Sequence, residues 1–164
     1  MIFKITVLFS LILAPASLLH AQQITKSEDP ESNIQSYIDL IRADVKSEKV
    51  EILSAMMQFT PEEAATFWPV YQNYDAELTK LGDQRVALIK EYAEHYDDMT
   101  DEKADELVQK NFALLSDRNA LLKNCYEQIK AKMSAKTAAR FVQVEHQLLL
   151  IIDLQIASQL PVVQ

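Results

Sequence analysis

The chain has 164 residues, enough for one domain with a core that needs no disulfide bonds, and its 24% charged and 49% hydrophobic residues are typical of a folded protein. Its formal net charge of −8 disfavours nucleic acid as a partner, because an acidic surface repels the phosphate backbone. The single glycine, Gly82, excludes the glycine-rich loops that cradle phosphates, bind dinucleotides or present a catalytic serine.

The first 21 residues have the three parts of a secretory signal peptide. Lys4 supplies the positive end, Ile5 to Leu13 the apolar run, and Leu19-His20-Ala21 the small-residue cleavage site, so we expect cleavage after Ala21. A membrane anchor is the alternative, but the apolar run is shorter than the roughly 20 residues of a spanning helix. Cleavage removes Lys4 and no acidic residue, so the mature charge is −8 − 1 = −9. No membrane span is expected in the mature chain.

Residues 22–32 are polar and contain Pro30, which predicts a flexible leader, and residues 33–164 are predicted to form a single helical domain. From Ile34 onwards, apolar residues recur at alternating spacings of four and three, the pattern of one face of a helix. They are Ile34, Ile38, Ile41, Val45, Ile52 and Met56, and Glu48 interrupts the series. This pattern predicts the first helix.

A second helix is predicted to start at residue 61. Thr60 can cap the helix, Pro61 suits its first position, and Glu63 can complete a capping box. The apolar stripe that follows predicts a seam with a partner helix and consists of Phe67, Tyr71, Tyr74, Leu78, Leu81, Leu88 and Tyr92, with Arg85 at one heptad place. Pro69 lies inside this helix, which predicts a kink or a short 3₁₀ break, with a hinge as the alternative.

The third helix is predicted to begin after Thr100, which can cap it, with acidic residues in its first turn. Two apolar stripes run along this helix, so its apolar face is broad enough for more than one neighbour. The first stripe is Ala104, Val108, Phe112, Leu115, Leu122, Tyr126, Ile129 and Met133, and the second is Leu107, Leu114 and Leu121.

A fourth helix is predicted from the cap Ser134 to a stop at Pro161. Residues 148–152 are apolar on every face, which indicates a central core helix or, as the alternative, an outer face that forms a dimer seam. The predicted fold is therefore all-α, with four long amphipathic helices in antiparallel hairpins.

The mature chain offers little material for catalysis or cofactor binding, so we predict a protein that is not an enzyme and carries no cofactor. Glu91 and His95 are four residues apart on one helix face and are weak candidates for metal ligands, although a histidine at the edge of the core is the favoured interpretation. His146 is likewise expected in the core or an interface. Cys125 is expected to be buried, and a disulfide between two chains is the alternative.

The aromatic group Phe67, Trp68, Tyr71 and Tyr74 is a candidate partner-binding surface, because aromatic rings give a large contact area at low entropic cost. The alternative is that these residues form part of the core, as such stripes mostly do. Trp68 lies one residue off the stripe and next to Pro69.

The segments Phe59-Thr60-Pro61-Glu62-Glu63 and Met99-Thr100-Asp101-Glu102-Lys103 resemble the LTxxQ motif of the Spy/CpxP family of periplasmic stress proteins, with the leucine and glutamine replaced. Residues 59–164 also resemble exported bacterial proteins of unassigned function that carry TPEE followed by FWPxY, here Phe67-Trp68-Pro69-Val70-Tyr71. The first resemblance implies a periplasmic, all-helical and often dimeric protein that holds unfolded clients or senses envelope stress or metal.

These features predict an exported protein that binds other proteins as a chaperone-like or stress-responsive adaptor, with a homodimer as a further expectation. A periplasmic metal sensor or buffer, and a structural coiled-coil subunit, are the alternatives.

Overall fold

The computed structural model describes residues 45–158 together with residues 160 and 162. Within this part the fold is all-α, with four helices and no strand, as predicted: α1 (Val45–Met57), α2 (Pro61–Glu94), α3 (Asp101–Lys132) and α4 (Ala135–Ala157). The predicted signal peptide with its cleavage site at Ala21, the leader, and the first helix from Ile34 to residue 44 lie outside the described residues.

Three helices begin at the caps that their sequences predict. The Thr60 hydroxyl accepts a hydrogen bond from the Glu63 backbone N–H at 3.3 Å, and the Glu63 carboxylate accepts one from the Thr60 N–H at 2.9 Å, which completes a capping box. Thr100 and Ser134 cap α3 and α4 in the same way, by accepting from the third residue that follows. Each cap is worth about 1 kcal/mol and fixes where the helix starts.

The helices pack in a simple order: α2 against α3, α3 against α4, and α1 against α4. At 1.5 Å per residue, α2 and α3 are roughly 50 Å long and α4 roughly 35 Å. The α2–α3 hairpin therefore extends beyond the end of α4. None of the four helices, within the part of the chain described, combines the length and apolarity needed to cross a bilayer.

The main core lies where α1, α2, α3 and α4 meet and is rich in aromatic rings. The ring of Phe141 on α4 lies 5.6, 6.2 and 5.9 Å from the rings of Phe67, Tyr71 and Tyr74 on α2. The other buried members are Leu53, Met57, Val70, Cys125, Ile129, Ala138 and Val144. A smaller cluster further along the hairpin joins Ile89 of α2 to Ile156 of α4. The two clusters attach α4 to α2 along its length.

The buried face of α1 differs from the predicted one. Lys49, Leu53 and Met57 are buried, whereas Ile52 and Met56 of the predicted apolar series are 39% and 54% exposed. The helix is rotated in this way because the Lys49 side chain points inward to an ion pair with a residue of α4. The spacing of apolar residues does not predict a buried lysine, because its burial depends on a partner in another helix.

Of the two forms predicted at Pro69, a kink or a short 3₁₀ break, the 3₁₀ break is not formed, since α2 is one uninterrupted α-helix. Pro69 and Ala65 are both exposed, so water can reach the carbonyl that loses its hydrogen bond to the proline. The fourth helix also ends earlier than predicted, at Ala157 with Ser158 as its C-cap, four residues before Pro161.

Candidate functional site

A buried ion pair joins α1 to α4. Lys49 Nζ lies 2.7 Å from Glu145 Oε1, and the two side chains are 4% and 0% exposed. Tyr74 of α2 donates its hydroxyl to the same oxygen at 2.8 Å. The ammonium also lies 5.7 and 5.9 Å from the ring centroids of Tyr71 and Tyr74, within the range of cation–π attraction. Three helices thus contribute to one buried polar cluster.

Burial and the charge of Glu145 stabilise the protonated forms of Tyr71, Tyr74 and Cys125. Burial, and then the negative charge of Glu145, raise the pKa of Tyr71 and of Tyr74 far above the ordinary tyrosine value. Burial raises the pKa of the Cys125 thiol to about 12, with Glu145 as the second cause. Cys125 is 1% exposed, so the thiol lies inside the fold, as predicted, and not at a surface where two chains could be linked.

The cluster is not fully paired. Glu145 Oε2 and Tyr71 Oη are buried and have no hydrogen-bond partner among the described residues. Unpaired buried polar atoms are uncommon and costly, so each calls for an explanation. The site retains acceptor capacity beyond what Lys49 and Tyr74 use.

Neither charged member was predicted from the sequence, although the spacing on α4 could have revealed Glu145. Glu145 lies four residues after Phe141 and four before Leu149, both buried, so it occupies the core register of α4. Lys49 lies four residues before the buried Leu53, but the apolar series of α1 indicates a different face, so spacing alone does not reveal Lys49. His146, expected in the core or an interface, does not lie in the core: it is exposed, because it follows Glu145 directly and points away from that register.

A second polar group fixes the far part of α4 to the hairpin. Arg118 of α3 donates two hydrogen bonds to the Asp153 carboxylate, at 2.9 and 2.8 Å, and Arg85 of α2 donates a third at 2.5 Å. Burial alone would raise the pKa of Asp153, but the hydrogen bonds and charges of Arg118 and Arg85 hold it below its ordinary value. Arg85 fills the heptad place where the stripe of α2 lacks an apolar residue.

The two weak metal-ligand candidates are engaged by different partners. The Glu91 carboxylate accepts hydrogen bonds from Lys103 at 3.1 Å and Lys110 at 2.8 Å, and these lower its pKa, Lys110 most. His95 is the C-cap of α2, and its Nδ1 lies 3.6 Å from Asp98 Oδ1. The described part of the chain gathers no group of three or more His, Cys, Asp or Glu side chains that could hold a metal ion.

The predicted aromatic surface lies mostly inside the protein. Phe67, Tyr71 and Tyr74 are at most 3% exposed, because they pack around Phe141, while Trp68 is half-buried with its ring edge-on to Phe67 and Tyr71. Phe67, Tyr71 and Tyr74 are therefore not available to contact a partner in this structure. Their arrangement corresponds to the alternative interpretation, a core.

Apolar side chains are instead exposed on α3 and α4. Val108, Phe112 and Leu115, here termed the α3 stripe, are 48%, 58% and 38% exposed and share one helix face by their spacing of four and three. Leu150, Ile151 and Leu154, the α4 stripe, are 53%, 55% and 71% exposed. The inner residues Leu149 and Ile156 are buried, so residues 148–156 serve as a core on one side and an apolar surface on the other.

A groove of about 370 Å³ runs between α2 and α3 along the hairpin. Apolar residues of both helices line it, with charged and polar residues beside them: Ala87, Leu88, Ala113 and Leu114, together with Gln84, Glu91, Lys110 and Asp117. The small alanines keep the groove open.

In comparisons with known proteins, no protein-family model, no curated protein and no solved structure matches this chain significantly.

Proposed function

We propose that the mature chain, residues 22–164, is an exported, non-enzymatic helical protein that binds other proteins in the periplasm, as a chaperone-like protein or an envelope-stress adaptor. Export is supported by the signal-peptide pattern that ends at Ala21. The periplasm and the stress role are supported by the LTxxQ-like segments that begin at Phe59 and Met99.

The observation that carries the proposal is the exposure of the α3 and α4 stripes. Single exposed apolar residues are ordinary on a protein surface, but several large ones on one helix face are typical of an interaction site. Covering Phe112, of which 58% is exposed, removes roughly 100 Å² of apolar surface from water, worth about 2.5 kcal/mol. A few such contacts are enough for micromolar affinity after the entropic cost of association.

The charge of the mature chain favours one kind of partner. With a net charge of −9 after removal of Lys4, the surface attracts basic chains and repels acidic ones. Apolar stripes on an acidic surface suit an unfolded client that exposes apolar residues flanked by lysine and arginine. Binding should therefore weaken at high salt while its apolar part persists.

The two alternatives predict other behaviour. A metal sensor would require Glu91 to exchange its two lysine partners for a metal ion, and it predicts that nickel, cobalt, copper or zinc raises the melting temperature through His95. A structural coiled-coil subunit would use the same α3 and α4 stripes for self-association. This alternative predicts an oligomer of fixed stoichiometry that does not bind unfolded clients.

The test is suppression of aggregation by the purified mature protein. A chemically denatured model client is diluted into buffer with a stoichiometric amount of the protein, and light scattering is followed. We expect scattering to fall markedly, and unchanged scattering would contradict the chaperone form of the proposal. The mass of the protein in solution and its melting temperature with each metal, for the native chain and His95→Ala, separate the two alternatives.

A further inference from the structure

The surroundings of Lys49 have the chemistry of a binding site for a primary ammonium group. One carboxylate oxygen of Glu145 lies 2.7 Å from Nζ, and two tyrosine rings lie within 6 Å of it. A carboxylate together with aromatic faces recognises an ammonium by charge-assisted hydrogen bonding and by cation–π attraction. We term Tyr71, Tyr74 and Glu145 the ammonium cage.

The cage is held together without α1. Tyr74 on α2 donates its hydroxyl to Glu145 on α4 at 2.8 Å, and Phe141 of α4 packs edge-on against the rings of Tyr71 and Tyr74. None of these contacts involves a residue of α1. The three cage side chains can therefore keep their places when α1 leaves.

The cage also offers more acceptors than Lys49 uses. Glu145 Oε2 and Tyr71 Oη are buried and without a hydrogen-bond partner among residues 45–158. An ammonium group has three donors, and Lys49 gives one hydrogen bond to Glu145. Lys49 is therefore one occupant of this site and does not saturate it.

The described part of α1 is attached to the rest of the fold along one face and at its C-terminal end, where Arg140 of α4 donates a hydrogen bond to the Met57 carbonyl at 3.3 Å. Among its side chains from residue 49 onwards, Lys49, Leu53 and Met57 are the buried ones, at successive spacings of four, and they lie on one face. The connection to α2 contains Gln58 with φ of 50°, a left-handed conformation that costs a non-glycine residue energy. Release of α1 would relieve this strain at the point where the helix would pivot.

We propose that the ammonium cage is a lysine-binding site that α1 occupies within its own chain, and that a partner helix exchanges with α1 there. The partner carries a lysine followed by apolar residues four and eight positions later, as Lys49, Leu53 and Met57 do. This inference rests on the proposed function, that the protein binds other proteins, and it names the chemistry of one class of partner.

The test measures binding of a labelled peptide with the sequence of residues 45–57 to the full mature chain. We expect the peptide to bind the Lys49→Ala variant at least tenfold more tightly than the native chain, because the competing lysine of α1 is gone. A peptide carrying Lys49→Met should lose this binding. In addition, n-butylammonium should raise the melting temperature of Lys49→Ala but not that of Lys80→Ala, whose lost lysine is exposed.

Equal affinity of the peptide for Lys49→Ala and the native chain would overturn the proposal, as would equal binding of the Lys49→Met peptide. If Lys49→Ala fails to fold, the Lys49→Met variant of the chain replaces it, because methionine fills about the volume of the lysine side chain. Peptide binding to this variant is then compared with binding to the native chain, and the same results support or overturn the proposal. Suppression of client aggregation is assigned to the α3 and α4 stripes and not to the cage. If the peptide does not bind but the protein still suppresses client aggregation, the proposal about the ammonium cage is wrong and the proposed function is unaffected.

Discussion

Glu145 is fully buried, and its charge is compensated by two donors that reach one of its oxygens from two other helices. Removing a carboxylate and an ammonium from water costs several kcal/mol each, and their attraction in the interior returns this only when the geometry is good. The geometry is good here, because Lys49 lies 2.7 Å from Glu145 and the Tyr74 hydroxyl donates a hydrogen bond to the same oxygen. The pair therefore specifies how α1 docks more than it adds net stability.

Removing one member of this pair should be far more costly than removing an exposed one. Lys49→Ala leaves the Glu145 charge buried and unpaired, and we expect the free energy of unfolding to fall by about 3–5 kcal/mol. The control Lys80→Ala breaks an ion pair with Glu77 whose side chains are 66% and 54% exposed, and it should cost less than about 1 kcal/mol. Urea unfolding of both variants measures the difference, and similar losses would contradict the role of the pair.

Asp153 gives a pH-dependent prediction. Its pKa is lowered in the folded state by Arg118 and Arg85, so the stabilisation is present above the unfolded value of about 3.9 and is lost as the pH falls through the folded pKa. Asp153→Asn, which loses charge-assisted hydrogen bonds, should cost about 2 kcal/mol at pH 7, and this cost should shrink below pH 4. Urea unfolding from pH 7 to pH 2 measures it, and a constant difference would argue against the assignment.

At the scale of the helix, local signals predicted the helix starts well. Thr60, Thr100 and Ser134 cap the helices whose starts they predict, because capping depends on residues within one turn. The all-α class followed from the apolar periodicity. These features need no knowledge of the tertiary packing.

The choice of buried face could not be predicted in the same way. Ile52 and Met56 have the right periodicity but are exposed, because the Lys49–Glu145 pair, formed across 96 residues, turns a neighbouring face inward. Phe112 also continues an apolar stripe but is 58% exposed. The stripes exposed on α3 and α4 thus depend on helix lengths and long-range pairs, which periodicity does not contain.

The connection between α1 and α2 allows a test of local strain. Gln58 has φ of 50°, and glycine adopts this conformation without steric cost, so Gln58→Gly should stabilise the protein by about 0.5–1 kcal/mol. Gln72→Gly, in the exposed interior of α2, should instead destabilise it by about 1 kcal/mol. Thermal unfolding compares the two, and destabilisation by both would show that the strain at Gln58 is not significant.

At the scale of the whole molecule, unequal helix lengths determine what is exposed. The α2–α3 hairpin is longer than α4, and along the first half of α3 Leu107 is buried while Val108 and Phe112 are exposed in the described part of the chain. Among the described residues the outer face of α4 is exposed as well, while α1, α2 and α3 pack against its inner side. An acidic surface with two apolar stripes results, and this combination supports the proposed binding of other proteins.

The most direct test of this account compares two double variants in the client aggregation assay. Phe112→Ser with Leu154→Ser removes the most exposed member of each stripe, and Gln109→Ser with Gln155→Ser changes exposed polar residues of the same helices. All four positions are exposed, so both proteins should keep their melting temperature within a few degrees. We expect that at least about tenfold more of the first variant is needed to suppress aggregation, while the second variant matches the native chain. Full suppression by the first variant would contradict it.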